Sequence, residues 1–382
     1  MLSMLVKNTL QNILPLVKFL LIVSSLVLTN IYTANSSSSD ASQLIKDYGL
    51  RESKNAISNN SNWQPKSKIV VRVDSAERLE WIKSVVPGAN IIGVSSYQQA
   101  LQEAKDAHAI VGFCSEELIK AASQLAWIQI YSAGAERCVS QPLIDSGLTL
   151  TNAQRLSGPG IAEHAISLMT SLTRGLDIYF ANRGHFTRPD ALADPEAIWE
   201  INGRTLLVVG LGGIGTEIAK RAHGLGMKVI ATRHSRRSGP DYVSYVGLSN
   251  ELLTLAKQAD VVINATPLTA ETKGIFNKEF FKQMPNHAYF ISIGRGKSTI
   301  TEDLIEALHL GELAGAGLDV TDPEPLPEGH KLWTMPRVII TPHVAWRSDK
   351  YQARRWLMVR ENIRRFAQGE ELLSVVDPKR GY

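Results

Sequence analysis

The hydrophobic positions along this chain of 382 residues form short apolar runs that alternate with longer amphipathic segments, beginning near Lys68. Short apolar runs bounded by turn residues are typical of buried strands, and the segments between them have the spacing of helices. Strands that alternate with helices form a parallel sheet covered by helices on both faces. The pattern therefore predicts an α/β protein with doubly wound parallel sheets.

The alternation divides into two series, and each series predicts one sheet. The first has apolar runs at residues 68–73, 90–94, 109–113, 127–131 and 148–151. The second has them at residues 205–209, 227–232, 261–263, 289–292, 314–320 and 338–341. Residues 161–174 predict a long helix that crosses between two domains. Residues 351–367 predict a last helix, which we expect to return to the first domain because the second sheet is already complete. We therefore assign residues 68–155 and 347–382 to one domain and residues 156–346 to the other.

A glycine-rich turn directly follows the first strand of the second series, and a helix-like segment follows the turn. In this position the pattern is typical of a dinucleotide-binding turn. Gly210 permits the tight turn, Gly212 lets a pyrophosphate approach the backbone, and Gly215 lets helix and strand pack closely. The helix N-terminus supplies N–H groups for the phosphates. The predicted cofactor-binding residues of the turn are Gly210, Gly212, Gly213, Ile214 and Gly215. A glycine-rich turn without a ligand is the plain alternative.

The residue after the second strand indicates which dinucleotide is bound. An NAD-preferring site has an acidic residue there, which holds the ribose 2′-hydroxyl group. This chain instead has Arg233 and Arg236, with no acid before Asp241. A guanidinium hydrogen-bonds a 2′-phosphate, whereas a carboxylate repels it. The sequence therefore favours NADP, with NAD as the second choice, and a solvated basic loop is the plain alternative.

Composition and charge exclude some classes of function. Apolar residues make up 44% and charged residues 20% of the chain, as in ordinary globular proteins. The net charge of +4 is small and evenly spread, so it does not indicate a nucleic-acid partner. Two cysteines cannot form a structural zinc site, and no spacing typical of metal ligands is present. Cys114 and Cys138 lie at a predicted strand end and a predicted helix start, so we expect free thiols rather than a disulfide.

The residues before Lys68 do not follow the α/β pattern. Residues 1–34 combine lysines with an uncharged apolar run, which is typical of a signal peptide or a signal anchor and is a candidate for membrane contact. A leader added by an upstream start codon is a third interpretation. Residues 35–67 are rich in serine and asparagine and predict a flexible polar linker. The use of cellular NADPH favours the cytoplasm, whereas the leader favours membrane association or export, so the sequence leaves the localisation open.

Three polar side chains follow strands of the second series, where the loops of an open parallel sheet form the ligand crevice. Arg295 lies between two glycines, Glu324 lies in a proline-rich loop, and His343 follows the last strand. Hydride transfer between a nicotinamide and a 2-oxo acid needs a held carboxylate, a polarised carbonyl and a delivered proton. An arginine serves the first two needs and a histidine the third, and a carboxylate fixes the tautomer of that histidine. We predict these three residues to be catalytic, although each taken alone also has a purely structural explanation.

These motifs and several others resemble those of a known family. From about Lys68 to the end, the chain resembles the D-isomer-specific 2-hydroxyacid dehydrogenases, the group that contains glyoxylate/hydroxypyruvate reductases and phosphoglycerate dehydrogenases. The shared motifs, besides the glycine turn, include Ser132-Ala133-Gly134, Ala162-Glu163-His164, Thr266-Pro267-Leu268-Thr269, Gly294-Arg295-Gly296, Leu318-Asp319-Val320, Glu324-Pro325-Leu326-Pro327 and Thr341-Pro342-His343.

The resemblance implies a Rossmann dinucleotide-binding domain and a flavodoxin-like substrate domain that is split in sequence. It also implies further site residues. Ala133, Gly134 and Arg295 would bind the substrate carboxylate, Thr266 and Pro267 would line the cofactor, and Asp319 would contact the nicotinamide carboxamide. A homodimer joined through residues 161–199 is expected as well. Gly213 departs from the family pattern, since many members have Arg or Gln there, and the leader has no counterpart.

The leading hypothesis is NAD(P)H-dependent reduction of a small 2-oxo acid to its D-2-hydroxy acid, reversible in principle, with His343 as the proton donor. Glyoxylate and hydroxypyruvate are the first substrates to consider, by resemblance alone, and other 2-oxo acids are not excluded. The alternative from another class is a non-catalytic dinucleotide sensor or corepressor-like protein on the same fold. Trp346 is expected either to face the pocket, where it would favour small substrates, or to pack under the last helix.

Overall fold

The computed structural model describes residues 38–181 and 198–381. Within these ranges the chain forms two parallel sheets. The predicted leader, residues 1–34, lies outside the described residues, as do residues 182–197 of the predicted dimer contact. None of the helices in the described ranges has the length and apolar character needed to span a membrane.

The first sheet follows an initial helix, α1 (Ser38–Tyr48). Its strands are β1 (Lys68–Arg72), β2 (Asn90–Val94), β3 (Ala109–Val111), β4 (Trp127–Gln129) and β5 (Thr149–Thr151). The connecting helices are α2 (Ala76–Lys83), α3 (Tyr97–Glu103), α4 (Glu116–Ala121) and α5 (Gln141–Ser146). The strand order β2-β1-β3-β4-β5 is that of flavodoxin-like sheets, as predicted. The central strands are apolar and buried because helices cover both faces.

The second sheet has seven parallel strands. They are β6 (Thr205–Val209), β7 (Lys228–Arg233), β8 (Tyr245–Leu248), β9 (Val261–Asn264), β10 (Tyr289–Ser292), β11 (Gly315–Leu318) and β12 (Val338–Ile340). In the order β12-β11-β10-β9-β6-β7-β8, the strands β7 and β8 are added on one side of β6 and the strands from β9 onward on its other side, and ligands bind at such a switch point between β6 and β9. The six predicted strands are confirmed. The edge strand β8 was not predicted, because its apolar run is short and contains a glycine.

Helices connect the strands of the second sheet and cover it. They are α6 (Gly158–Thr173), α7 (Leu176–Ala181), α8 (Gly213–Gly224), α9 (Leu252–Ala256), α10 (Lys278–Phe281) and α11 (Thr301–His309), and the chain then ends in a last helix, α12 (Tyr351–Gln368). The long helix α6 packs on the second sheet and on α8 through Ala165, Leu168 and Leu172. The last helix, α12, returns to the first sheet as predicted, where Val359 and Phe366 share a core with β1 and β4.

The flexible polar linker predicted for residues 35–67 is wrong for the part that the structure describes. Helix α1 buries Leu44 against α12. Glu52 pairs with the strand-like segment after α12, and its Oε1 lies 2.9 Å from Nη2 of Arg365. The few apolar residues of this segment are widely spaced, so the sequence resembles a linker although it packs as part of the first domain.

The expectation of free thiols is also wrong, because Cys114 and Cys138 form a disulfide. Cys114 follows β3, and Cys138 lies in the segment that follows β4. β3 and β4 are neighbouring parallel strands, so both segments leave the same edge of the sheet, and the two Cα atoms lie 5.5 Å apart. Each cysteine was assigned to its own element, and the pairing depends on how those elements are placed together.

Candidate active site

The glycine turn between β6 and α8 has the geometry predicted for phosphate binding. Gly210 has a φ of +95°, and a Cβ atom there would lie 2.9 Å from the carbonyl oxygen of Ala265. A Cβ atom on Gly215 would overlap the carbonyl oxygen of Gly210. At Gly212, which is exposed, a Cβ atom would have no described atom within 4 Å. The turn is therefore closed where helix and strand pack, and open where a phosphate would approach the N-terminus of α8.

Thr266 and Pro267 follow β9, the strand next to β6. The backbone N–H and the hydroxyl group of Thr266 both donate to Oδ1 of Asn264, at 3.0 and 2.7 Å, and Pro267 is exposed. Ile214 is partly buried against the core below the turn. The structure thus brings these residues to the crevice beside the glycine turn. Their contact with a cofactor stays a prediction.

Asp319, predicted to contact the nicotinamide, lies beneath the loop that carries His343. Its Oδ1 accepts hydrogen bonds from the Thr341 hydroxyl at 2.7 Å and from the backbone N–H of Val344 at 2.9 Å. Its Oδ2 accepts from the N–H of Ala345 at 3.1 Å, and the side chain is only 1% exposed. In this structure the carboxylate holds the His343 loop, and a cofactor contact stays a prediction.

Arg295, Glu324 and His343 come together at one edge of the second sheet, because they follow the neighbouring strands β10, β11 and β12. Nδ1 of His343 lies 2.7 Å from Oε1 of Glu324, and the two side chains are 38% and 39% exposed. Nε2 of His343 makes no hydrogen bond to any described residue. His343 has a φ of +52°, a conformation that non-glycine residues rarely adopt and that is frequent at functional sites. The pair is therefore available to exchange a proton with a ligand.

A loop that follows β4 of the first sheet contacts Arg295 and helps to hold its side chain in place. Nε of Arg295 donates to Oε1 of Glu136 at 2.9 Å, and Nη1 donates to the carbonyl oxygen of Gly294 at 2.8 Å. A Cβ atom on Gly134 would overlap Nη2 of Arg295, so only glycine leaves room for the guanidinium. Burial alone would raise the pKa of Glu136, but the charge and hydrogen bond of Arg295 outweigh it and lower that pKa. Glu136 was not identified from the sequence, because only the approach of the two loops makes it part of the site.

The backbone of the same loop has N–H groups that are not used within the described structure. The carbonyl oxygen of Ala133 accepts from Nδ2 of Asn152 at 2.5 Å, and the carbonyl oxygen of Gly134 accepts from the Ser132 hydroxyl at 2.8 Å. The N–H groups of Ala133 and Gly134 donate to no described residue. These N–H groups lie beside Arg295, which fits the predicted binding of a substrate carboxylate.

Trp346 packs against the start of the last helix, which is one of the two expectations stated for it, and its facing the pocket stays a prediction. Its Nε1–H donates to the carbonyl oxygen of His343 at 3.1 Å, and its side chain is 38% exposed. The ring also packs edge-on against Tyr351 at the start of α12, with 5.6 Å between ring centres. Trp346 therefore links the loop of His343 to the last helix.

Comparisons with known proteins show the family to which the chain belongs. The sequence pattern described as "D-isomer specific 2-hydroxyacid dehydrogenase, NAD binding domain" matches residues 166–345. A glyoxylate reductase of Pyrococcus furiosus is 31% identical over 289 residues, which cover 72% of this chain and 83% of that protein. The chain belongs to the D-isomer-specific 2-hydroxyacid dehydrogenase family.

Two solved structures similar to this 2-hydroxyacid dehydrogenase differ in their cofactors. The NADPH-dependent glyoxylate/hydroxypyruvate reductase of Sinorhizobium meliloti, in complex with NADP and sulfate, is 26% identical, with a TM-score of 0.68 and coverage of 83% of this chain and 100% of that one. The D-lactate dehydrogenase of Lactobacillus jensenii, with NAD⁺, is 26% identical, with a TM-score of 0.65 and coverage of 81% and 99%. The predicted family, fold and use of a nicotinamide cofactor are confirmed, and the chain is an NAD(P)-dependent oxidoreductase acting on 2-oxo and 2-hydroxy acids.

Proposed function

We propose that this 2-hydroxyacid dehydrogenase uses NADPH to reduce a small 2-oxo acid, glyoxylate or hydroxypyruvate first, to the D-2-hydroxy acid. The observation that carries the proposal is the 2.7 Å contact between His343 and Glu324 beside Arg295, at the carboxyl edge of the sheet with the glycine turn. The names of the relatives support the substrate class, and Arg233 at the end of β7 and Arg236 after it support NADPH.

Each residue of the proposed site has a separate role in the reaction. Arg295 and the N–H groups of Ala133 and Gly134 bind the substrate carboxylate, and Arg295 also polarises the carbonyl group. The nicotinamide, when bound, supplies the hydride that reaches the carbonyl carbon. His343 donates the proton on Nε2 to the carbonyl oxygen, while Nδ1–H remains hydrogen-bonded to Glu324. The product is the hydroxy acid with a neutral imidazole, and Glu324 favours the return of the proton.

The cofactor phosphates have defined partners in the second sheet. The glycine turn offers N–H groups to the pyrophosphate, and Gly212 leaves the space for it. We assign the 2′-phosphate to Arg233 and Arg236, and the buried Nε of Arg233, which has no hydrogen-bond partner in the described structure, supports this assignment. This set fits NADPH better than NADH, which is the second choice.

The division of the chain and its assembly are part of the proposal. We place the substrate domain at residues 68–155 and 347–382, extended by the packed residues from Ser38, and the dinucleotide-binding domain at residues 156–346. A homodimer joined through α6 and the residues that follow is proposed by family resemblance. The role of the leader, as a signal peptide, a signal anchor or a misassigned start, stays a prediction.

The substitution His343→Asn tests the proposal. We expect turnover of glyoxylate with NADPH to fall by about 10²- to 10⁴-fold, because asparagine donates no proton, while the Kd for NADPH stays unchanged. His287→Asn is the matched control, since His287 is exposed and contacts Asp260 away from the proposed acid and base. Full turnover in His343→Asn would show that the proton donor is another group. A wild-type protein that binds NADPH but turns over no small 2-oxo acid would favour the sensor instead.

A further inference from the structure

Two arginines from outside the second sheet lie next to its predicted phosphate-binding residues. Arg155 precedes α6, and Arg51 follows α1. Burial and the charges of Arg51 and Arg236 lower the pKa of Arg155. Burial and the charges of Arg236, Arg51 and Arg155 likewise lower the pKa of Arg233. We call these four residues the arginine group. They are drawn from three separate parts of the chain and come close enough for their charges to interact.

The arginine group is left without acidic partners by the described part of the chain. Arg155 makes one long contact, from Nη1 to the carbonyl oxygen of Tyr48 at 3.5 Å. Arg237, in the same basic loop, is different, because its Nη1 lies 2.7 Å from Oε1 of Glu251. Uncompensated like charges destabilise the folded protein, so their convergence on a cofactor turn indicates an anionic ligand.

Arg155 occupies the space above Gly213. A Cβ atom on Gly213 would lie 2.9 Å from Cγ of Arg155 and 3.6 Å from its Cα. Arg155 itself has a φ of +72°, a conformation rarely adopted by residues other than glycine. Arg155 therefore places a cationic side chain from outside the glycine turn against Gly213, at the N-terminus of α8.

Arg51 belongs to the segment first predicted to be a linker. Its backbone carbonyl oxygen accepts from the N–H of Ser374 at 2.8 Å, and Glu52 beside it is paired with Arg365. These contacts fix the backbone of Arg51 on the substrate domain, and its exposed side chain lines the same surface cavity as Arg155. The packed N-terminal segment therefore adds a positive charge beside Arg155.

We propose that Arg51 and Arg155 bind cofactor phosphates from the substrate-domain side, with Arg155 at the pyrophosphate and Arg51, together with Arg233 and Arg236, at the 2′-phosphate. The assignment of Arg51 rests on the proposed use of NADPH, whereas that of Arg155 holds for either cofactor. Both residues attach the substrate domain to the bound dinucleotide, so cofactor binding and closure of the crevice are linked.

Equilibrium binding of NADPH and NADH distinguishes contacts to the 2′-phosphate from contacts to the pyrophosphate, because only NADPH has the 2′-phosphate. The Kd values for NADPH and NADH are measured by quenching of protein fluorescence with the full chain, for wild type and for Arg51→Ala, Arg155→Ala and Arg155→Lys. We expect Arg155→Ala to raise both Kd values by about tenfold, the effect of one lost charge-assisted hydrogen bond. Arg155→Lys keeps the charge and retains most of the affinity. Arg51→Ala raises the Kd for NADPH by about tenfold and leaves NADH within about twofold.

Arg237→Ala is the matched control, because that arginine lies in the basic loop but is already paired with Glu251. If Arg51→Ala and Arg155→Ala change neither Kd more than Arg237→Ala does, the proposal is overturned. An equal loss of NADH and NADPH binding in Arg51→Ala overturns the 2′-phosphate assignment. A wild type that prefers NADH contradicts the proposed cofactor alone, and in that case a loss of NADH binding in Arg155→Ala still supports the pyrophosphate contact. Circular dichroism of each variant identifies any loss of fold.

Discussion

The two ends of the crevice differ in how their charges are balanced. At the proposed reacting end, a carboxylate of the protein holds each of two side chains that we propose to be catalytic: Glu324 lies 2.7 Å from His343, and Glu136 lies 2.9 Å from Arg295. At the phosphate end, the arginine group has no such partner among the described residues. His343 and Arg295 must keep one orientation during the proposed reaction, and the protein fixes them with its own carboxylates. The arginine group has no such partners, because the phosphates of the proposed ligand would neutralise its charge.

The largest effect that tests this comparison is expected from Arg295→Gln. The variant removes the bidentate partner of the substrate carboxylate and leaves Glu136 half-buried without its cation, so kcat/KM should fall by about 10³-fold. Steady-state kinetics with glyoxylate and NADPH measure it. Lys297→Gln is the control, because Lys297 is an exposed cation two residues away. Equal activity of the two variants would mean that Arg295 does not bind the substrate.

The arrangement of the reacting end could be predicted where it depends on one strand and the loop after it. Arg295, Glu324 and His343 each follow an apolar run, and parallel strands bring such loops to one edge, so the sequence was enough to group them. Glu136 could not be grouped with Arg295, because it follows a strand of the other sheet. The contact between the two residues depends on how the loops of the two sheets pack against each other. Local pattern thus predicts residues that share a sheet edge, and it does not predict pairs that meet across the crevice.

At the phosphate end, too, the sequence predicted the residues of one local unit but not those that come from distant parts of the chain. Arg233 and Arg236 were found from their distance to the glycine turn, which is set within one β/α/β unit. Arg51 and Arg155 lie far from that turn in sequence, and the segment of Arg51 is too polar to suggest a packed element. The disulfide escaped prediction for the same reason, since it joins two loops of neighbouring strands.

The disulfide gives the second prediction, because Cys138 lies in the same loop as Glu136, two residues after it. In Cys114→Ser/Cys138→Ser we expect the free energy of unfolding to fall by about 3 kcal/mol, as the bond closes a segment with a sequence separation of 24 residues. Urea denaturation followed by tryptophan fluorescence measures the loss. Wild type treated with a reductant serves as the control and should match the double variant, with no further effect of reductant on the variant. A wild type whose stability is unaffected by reductant would show that the thiols are not paired in solution.

The smallest effect is expected from substitutions of Glu136. The direction of the change in KM distinguishes the effect of its charge from its role as a hydrogen-bond acceptor for Arg295. Glu136→Gln keeps a hydrogen-bond acceptor for Nε of Arg295 but removes a negative charge beside the substrate carboxylate. The KM for glyoxylate should therefore fall, by about two- to fivefold, because the Glu136 side chain is 33% exposed and its charge is screened. Glu136→Ala also removes the acceptor, so Arg295 loses its orientation and the KM should rise. If both variants raise the KM equally, the charge itself contributes to the position of Arg295.

The pH dependence of the same variant follows from the direction of the shift at Glu136. Its pKa in the folded protein is lowered, so the carboxylate is ionised at every pH above its ordinary value, and its ion pair is lost only as the pH falls below that range. The ratio of the KM of wild type to that of Glu136→Gln should therefore stay constant between about pH 6 and pH 8. A ratio that approaches one as the pH falls to about 6 would mean that Glu136 takes up a proton there, and that Arg295 does not hold it ionised as the structure indicates.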